Sequence, residues 1–356
     1  MPTTNLEAYL GIPMPSVESF HHDGDESRHV LYATLDDLCA CSNTLGFQFG
    51  NATVGPRIEL LDEAARRAIL DKPLFAPKMQ RIQRKQLKHC EILRFSATVS
   101  TTCYDGYKTT PDGMSIEEIT VYMSRAQFQK RLSDLLVMAN IARLGSIELV
   151  DSVIVQDNCN LSSTVPVMDG LVAQEAARVA RKIQWPTLYR MNCETVWNWA
   201  SKHITMLDGF DGTPMGRAIC AFSRIFERKT ADEPMQLLWA LVGLEALYVK
   251  GKSELMQQVR EKSQVLLGRP GSYKKKINQM YDFRSRFVHG DLDFPGLCLL
   301  GDASDEFAKY SNELFDAIAI ATAVLAATIQ EVIRRDWNGL SFDYMVNDSK
   351  ALIDEV

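Results

Sequence analysis

The stretch Met280-Tyr-Asp-Phe-Arg-Ser-Arg-Phe-Val-His-Gly-Asp291 decides how the second half of this chain is read. From Tyr273, apolar residues recur at three- and four-residue steps, at Ile277, Met280, Phe283 and Phe287. That spacing makes one stripe of a helix facing a core. At about 100° per residue, Asp282, Ser285, Arg286 and His289 share a different face. Arg284 lies beside the apolar stripe, about 140° from His289. Gly290 is placed to be the residue just past the helix end, which leaves His289 in the last turn.

Working outward, the same helical texture fills everything beyond Pro166. Expected helices run over 170–183, 193–207, 216–227, 234–250, 253–267, 273–289 and 302–335, with glycines and prolines between them. The run Ala317 to Ile329 is the most apolar. Its alanines, its Thr322 and Thr328, and the flanking Asp316 and Glu331 suit a buried helix better than a membrane span. The half before Pro166 reads differently. Leu45 to Phe49, Arg57 to Leu61, Glu91 to Tyr104, Glu117 to Met123 and Ile147 to Val155 alternate or are rich in Thr, Val and Phe, as strands are. Asp62 is placed to cap a short helix to Lys72, and Ser124 to cap one over 124–142. Residues 1 to about 30 read as irregular. The expected class is α+β: a β-rich mixed domain over 1–164 that senses or regulates, then an all-α helical bundle over 165–356.

Composition sets bounds. The chain has 356 residues, 46% hydrophobic and 24% charged, as in an ordinary globular protein. A net charge of −6 argues against a surface coated in positive charge for nucleic acid, though a local basic groove remains open. Two basic stretches offer one. The first is 78–89, with Lys78, Arg81, Arg84, Lys85 and Lys88 and no acid. The second is Lys274-Lys275-Lys276 at the start of the opening helix. The eight cysteines are scattered, and Cys39 and Cys41 are separated by one residue, so neither zinc knuckles nor a disulfide framework is expected. The His21-His22-Asp23 cluster is metal-like in composition but reads as a solvated loop. The first residues have no signal-peptide pattern, so the expectation is a soluble, cytoplasmic protein. Motif searches end quickly. Gly251-Lys252-Ser253 has the tail of a phosphate loop without its first glycine, and HExxH, GxSxG and GxGxxG do not occur.

The chemistry therefore rests on the opening stretch. At a helix C-terminus the negative dipole end and the neighbouring arginines act on an imidazole in opposite directions, which keeps acid–base work near neutral pH accessible. An arginine adds a planar donor for phosphate oxygens. Imidazole plus guanidinium suits RNA cleavage through the 2′-hydroxyl. A base removes the 2′-OH proton, the 2′-oxygen attacks phosphorus, and a cation holds the charge of the phosphorane. The products are a 2′,3′-cyclic phosphate and a 5′-hydroxyl. The structural alternative is that His289 ends its helix and the arginines pair with Asp282 and Asp291.

An arginine five residues before a histidine is a weak pattern alone. Here Arg284-Ser-Arg-Phe-Val-His289 lies behind a helix carrying LWALVGLEALYVKG (238–251) and ahead of a long Ala-rich helix. In this order the region 190–335 resembles the HEPN superfamily, most closely its Apea-like branch, with the strongest likeness over 237–292. The resemblance implies a helical, usually dimeric domain that pairs two motif helices into a composite cleft. It also implies metal-independent endoribonuclease activity without cofactor, with RNA as substrate, often in antiviral defence or toxin–antitoxin systems. Arg284 and His289 match the motif as catalytic residues. Ser285 stands where the family favours a polar residue, often Asn, Asp or His. Arg286 and Glu245 are supporting candidates, and Lys274, Lys275 and Lys276 would extend a path for RNA. A cleft shared by two copies would let Arg284 of one act with His289 of the other. The competing expectation is a non-catalytic HEPN module that dimerises or binds RNA or a nucleotide. A protein or ligand trigger would act through the N-terminal domain.

Overall fold

The computed structural model describes residues 3–14, 24–70, 89–104, 115–157, 159–203, 211–227, 233–251, 254–271, 274–292 and 305–342. The stretch 78–88, the His21-His22-Asp23 cluster, Lys252-Ser253, the Asp105-Gly106 and Pro111-Asp112-Gly113 turns and the last residues lie outside these. The architecture is mixed α and β, with an N-terminal antiparallel sheet and helices beyond it.

The sheet has five strands in the order β4-β5-β1-β6-β7: β1 (Thr3–Pro13), β4 (Arg57–Leu60), β5 (Cys90–Ser100), β6 (Asp151–Gln156) and β7 (Cys159–Ser163). A separate hairpin joins β2 (Phe47–Phe49) to β3 (Ala52–Val54). The expectation of an irregular start is overturned. β1 is the central strand and pairs with β5 from Thr3 opposite Ser100 to Pro13 opposite Cys90. Its alternation explains why: Leu6, Ala8, Leu10 and Ile12 share one fully buried face, while Asn5 and Glu7 point away. Pro13 sits at the strand's last position, where a missing donor costs least.

The buried sheet face is covered by α1 (Gly24–Ala40) through Leu31, Leu35 and Leu38, and by α3 (Ile116–Ala142) through Phe128, Leu132 and Leu135. The other face is partly covered by Ile69 of α2 (Glu63–Leu70), which meets Tyr9, Ile92 and Val153 in a small second core. Asp62 caps α2 as expected, accepting from the Ala65 N–H at 2.8 Å.

The strand expected over 117–123 is instead the first two turns of α3. Ile119, Val121 and Met123 do alternate, but Ser115 and Glu118 form a reciprocal capping box just before them, and that nucleates a helix. Ser115 is therefore the N-cap. Ser124 lies fully buried inside the helix, its hydroxyl 3.2 Å from the Tyr104 hydroxyl.

The helical half contains α4 (Leu171–Ile183), α5 (Cys193–His203), α6 (Pro214–Arg224), α7 (Glu233–Tyr248), α8 (Leu255–Leu267), α9 (Lys274–His289) and α10 (Asp305–Arg334). α10 is the axis and packs against α4, α6, α7, α8 and α9. It is the one described helix long and apolar enough to cross a membrane, and 94% of its apolar window is buried inside the protein. Gly243 of α7 approaches it closely, since a Cβ there would stand 2.7 Å from a Leu325 methyl.

The halves share one core, which runs from Leu6 to Ile333. Polar ties reinforce it. Asp37 of α1 accepts from Arg143 at 2.8 Å and from the Cys193 N–H at 2.7 Å, joining α1, the end of α3 and the start of α5. Among the described residues the cysteines are free thiols, and only Cys220 is exposed.

Candidate functional site

Helix α9 is amphipathic in the way its sequence requires. Met280 and Phe283 are buried, and the Phe283 ring lies 5.7 Å from that of Tyr310 on α10. Its C-terminus closes as a Schellman motif. Gly290 takes φ +77°, its N–H donates to the Phe287 carbonyl at 3.4 Å, and the Asp291 N–H donates to the Arg286 carbonyl at 2.8 Å. His289 is thereby the last helical residue and its side chain is exposed. Among the described residues, no carboxylate makes an ion pair with its imidazole, and neither neighbouring arginine makes the expected pair with Asp291.

The other candidates divide over three directions. Arg286 reaches the Asp282 carboxylate at 3.8 Å. Together they line a cavity of about 330 Å³ between α9 and α10, with Asn312, Glu313 and Asp316 on the far wall. This i,i+4 pair is the Asp282 part of the structural alternative, in which the arginines pair with acids of their own helix. Ser285 points outward and is exposed. Arg284 is half-buried and lies toward α7 and Glu245. The backbones of Lys274, Lys275 and Lys276 form the first turn of α9, and their side chains lie outside the described residues.

Glu245 and Arg284 act on one another through space without an ion pair within 4.0 Å. One Glu245 carboxylate oxygen is buried with no hydrogen-bond partner among the described residues. Burial pushes the Glu245 carboxyl above the usual carboxylate range, and the Arg284 charge pulls it partly back. Tyr281 completes the cluster. Its hydroxyl is buried without a partner among the described residues, and burial raises its titration well above that of a free phenol. The Glu245 charge adds to that rise and Arg284 opposes it. Tyr281 was missed in the sequence, although its place three residues before Arg284 puts it on the same helix side.

The fold thus gathers Glu245, Tyr281 and Arg284. It does not bring Arg284 and His289 together within one copy, because five residues along a helix separate them by about 7.5 Å of rise and 140° of turn.

A pH dependence follows from Glu245. Its raised folded-state titration means the folded protein binds a proton that the unfolded chain releases first. Stability is therefore fully kept below the ordinary carboxylate range and falls as pH rises above it. Glu245→Gln is expected to melt higher than the parent at pH 8 and to lose that advantage at pH 4. Equal shifts in thermal melts at both pH values would show that the carboxylate is solvated.

Among the described residues, no three His, Cys, Asp or Glu side chains come together as a metal site. No family model, characterised protein or solved structure matches this chain.

Proposed function

We propose that the chain is a HEPN-type endoribonuclease, metal-independent and acting in the cytoplasm as a homodimer. The observation that carries this reading is the exposed imidazole of His289 at the capped end of α9, which makes no ion pair among the described residues. An imidazole so placed can take the 2′-OH proton of a docked RNA strand. The 2′-oxygen then bonds to phosphorus, the 5′-oxygen leaves with a proton, and Arg284 meets the phosphorane charge. The divergence of Arg284 and His289 within one copy favours a cleft in which each is supplied by a different copy. Ser285, Arg286 and Glu245 support the motif helix, and Lys274, Lys275 and Lys276 would guide the RNA. Antiviral defence or a toxin–antitoxin pair is the setting this reading fits, with the N-terminal half receiving the trigger.

The purified protein is expected to cut single-stranded RNA in excess EDTA, leaving 2′,3′-cyclic phosphate ends. Uncut RNA across mixed-sequence substrates, with and without phage-infected cell extract as trigger, would end the enzymatic reading. A second reading has its own support. Arg284 is half-buried beside a carboxylate, as a structural arginine would be. On that reading the domain binds RNA or a nucleotide, or only dimerises, and RNA is retained uncut.

A further inference from the structure

A cavity of about 560 Å³ lies between α8 and the segment 335–342 that follows α10. Its outer wall is anchored. Asp336 turns the chain back at φ +51°, and its carboxylate is held by Lys202 at 2.6 Å and His203 at 2.9 Å. The Trp337 carbonyl accepts from the Trp199 indole at 2.8 Å. Val265, Leu266, Trp337, Leu340 and Phe342 give the cavity its apolar lining, with Val265 79% and Trp337 38% exposed. Lys262 enters the lining from α8 and is only 6% exposed. A lysine is rarely buried to that degree without an acid beside it. Here the ammonium donates to the Tyr248 carbonyl at 2.7 Å and to Gln258 Oε1 at 2.8 Å, both neutral, and it makes no ion pair among the described residues. The Phe342 ring centre stands 5.5 Å from it.

The Tyr248 bond explains part of this. Tyr248 ends α7, and a cation there meets the negative end of the helix dipole, which offsets only about half a charge. Burial, and then the charge of Lys250, pull the Lys262 ammonium below the usual lysine range. Arg335 adds to the positive side. It shares the Glu331 carboxylate with Arg334, so one acid serves two guanidiniums, and its own guanidinium lies 4.6 Å over the Trp337 ring. Among the lining residues Glu261 is the one acid, and it is exposed. We infer that this cavity binds a small organic monoanion with a flat apolar body, an aromatic carboxylate, whose charge meets the third N–H of Lys262 and whose ring lies against Trp337 and Phe342. The volume is that of a ligand cleft. A dianion fits less well, because Glu261 opposes the second charge, and a neutral ring leaves the ammonium uncompensated. The site uses no residue of α9, so it stands or falls apart from the nuclease reading.

The probe is 2-naphthoate, with its neutral carboxamide as control, each titrated calorimetrically into the full chain. The carboxylate is expected to bind with a dissociation constant on the order of 0.1–1 mM, and the carboxamide about tenfold or more weaker. Lys262→Met keeps the aliphatic stem and removes the charge, and is expected to bring the two probes within about threefold of each other. Because that variant also removes a cap of α7, Val265→Glu gives a second reading at an exposed position, where folding is not at stake. It sets an acid at the mouth and is expected to weaken the carboxylate at least about threefold while sparing the carboxamide. Trp337→Ala is expected to weaken both probes alike. No heat from 2-naphthoate at about 5 mM overturns the inference. So do equal affinities for the two probes in the parent, a preference for the acid that survives unchanged in a folded Lys262→Met or in Val265→Glu, or binding that Trp337→Ala leaves untouched.

Discussion

His289→Ala is expected to reduce RNA cleavage by a factor of at least ~100, and up to ~10,000, with no loss of fold or dimer. A positioned acid–base group contributes rate enhancements of that order. The substitution is structurally mild. His289 is exposed, its side chain has no ion pair among the described residues, and the helix end is held by backbone bonds from Gly290 and Asp291. A variant that melts like the parent and still cuts at the parent's rate would remove His289 from the chemistry. Arg284→Ala is expected to cut slowly too, but with some change in melting, since its charge acts on half-buried Glu245 and buried Tyr281.

Mixing the two inactive variants separates a shared cleft from a self-contained one. If each site takes Arg284 from one copy and His289 from the other, a mixed dimer has one intact site. After full exchange, half the dimers are mixed, and about a quarter of parental activity returns. A site built within one copy returns none. The divergence of the two side chains along α9 makes recovery the expected result.

The helical half was legible because its signals are local. The stripe Met280, Phe283, Phe287 and the glycine at 290 placed α9 and its end. Of the alternative pairing of the arginines with Asp282 and Asp291, the structure shows Arg286 with Asp282. The N-terminal half was less so. In β1, the alternation from Leu6 to Ile12 is real but short, and nothing local separates it from an irregular start. The last strand position is Pro13, and nothing local says that residues 90–100 are its partner. Over 117–123 two local signals conflict, alternation and a Ser-x-x-Glu cap, and the cap wins because α3 can then bury Phe128 and Leu132 against β1. At the candidate site, Glu245 and Tyr281 lie 36 residues apart, so their shared burial depends on how α7 crosses α9.

Gln330→Leu is expected to cost about 3 kcal/mol, a larger loss than most buried substitutions of equal volume produce. Gln330 is fully buried in α10, where one amide meets three backbone groups from two other segments. Its Nε2 donates to the Ile141 carbonyl at 2.7 Å and to the Tyr189 carbonyl at 3.0 Å, and its Oε1 accepts from the Tyr189 N–H at 2.7 Å. Ile141 belongs to the end of α3, and Tyr189 to the segment joining α4 and α5. The amide therefore holds the sheet-covering helix, that segment and the central helix at one point. Leucine fills nearly the same volume, so little of the loss comes from packing. It comes from leaving a donor and two acceptors unpaired, one of them fully buried and two part-buried, at about 1–3 kcal/mol for each group that stays unsatisfied. The measurement is the urea midpoint at constant m-value, since a change in m would report a looser native state instead. A loss under about 1 kcal/mol would mean that water reaches the Tyr189 backbone, and that the apolar core alone joins the two halves. A loss of the full size would instead make α3, through Ile141, respond to any displacement of α10, the helix on which α9 and its His289 are packed.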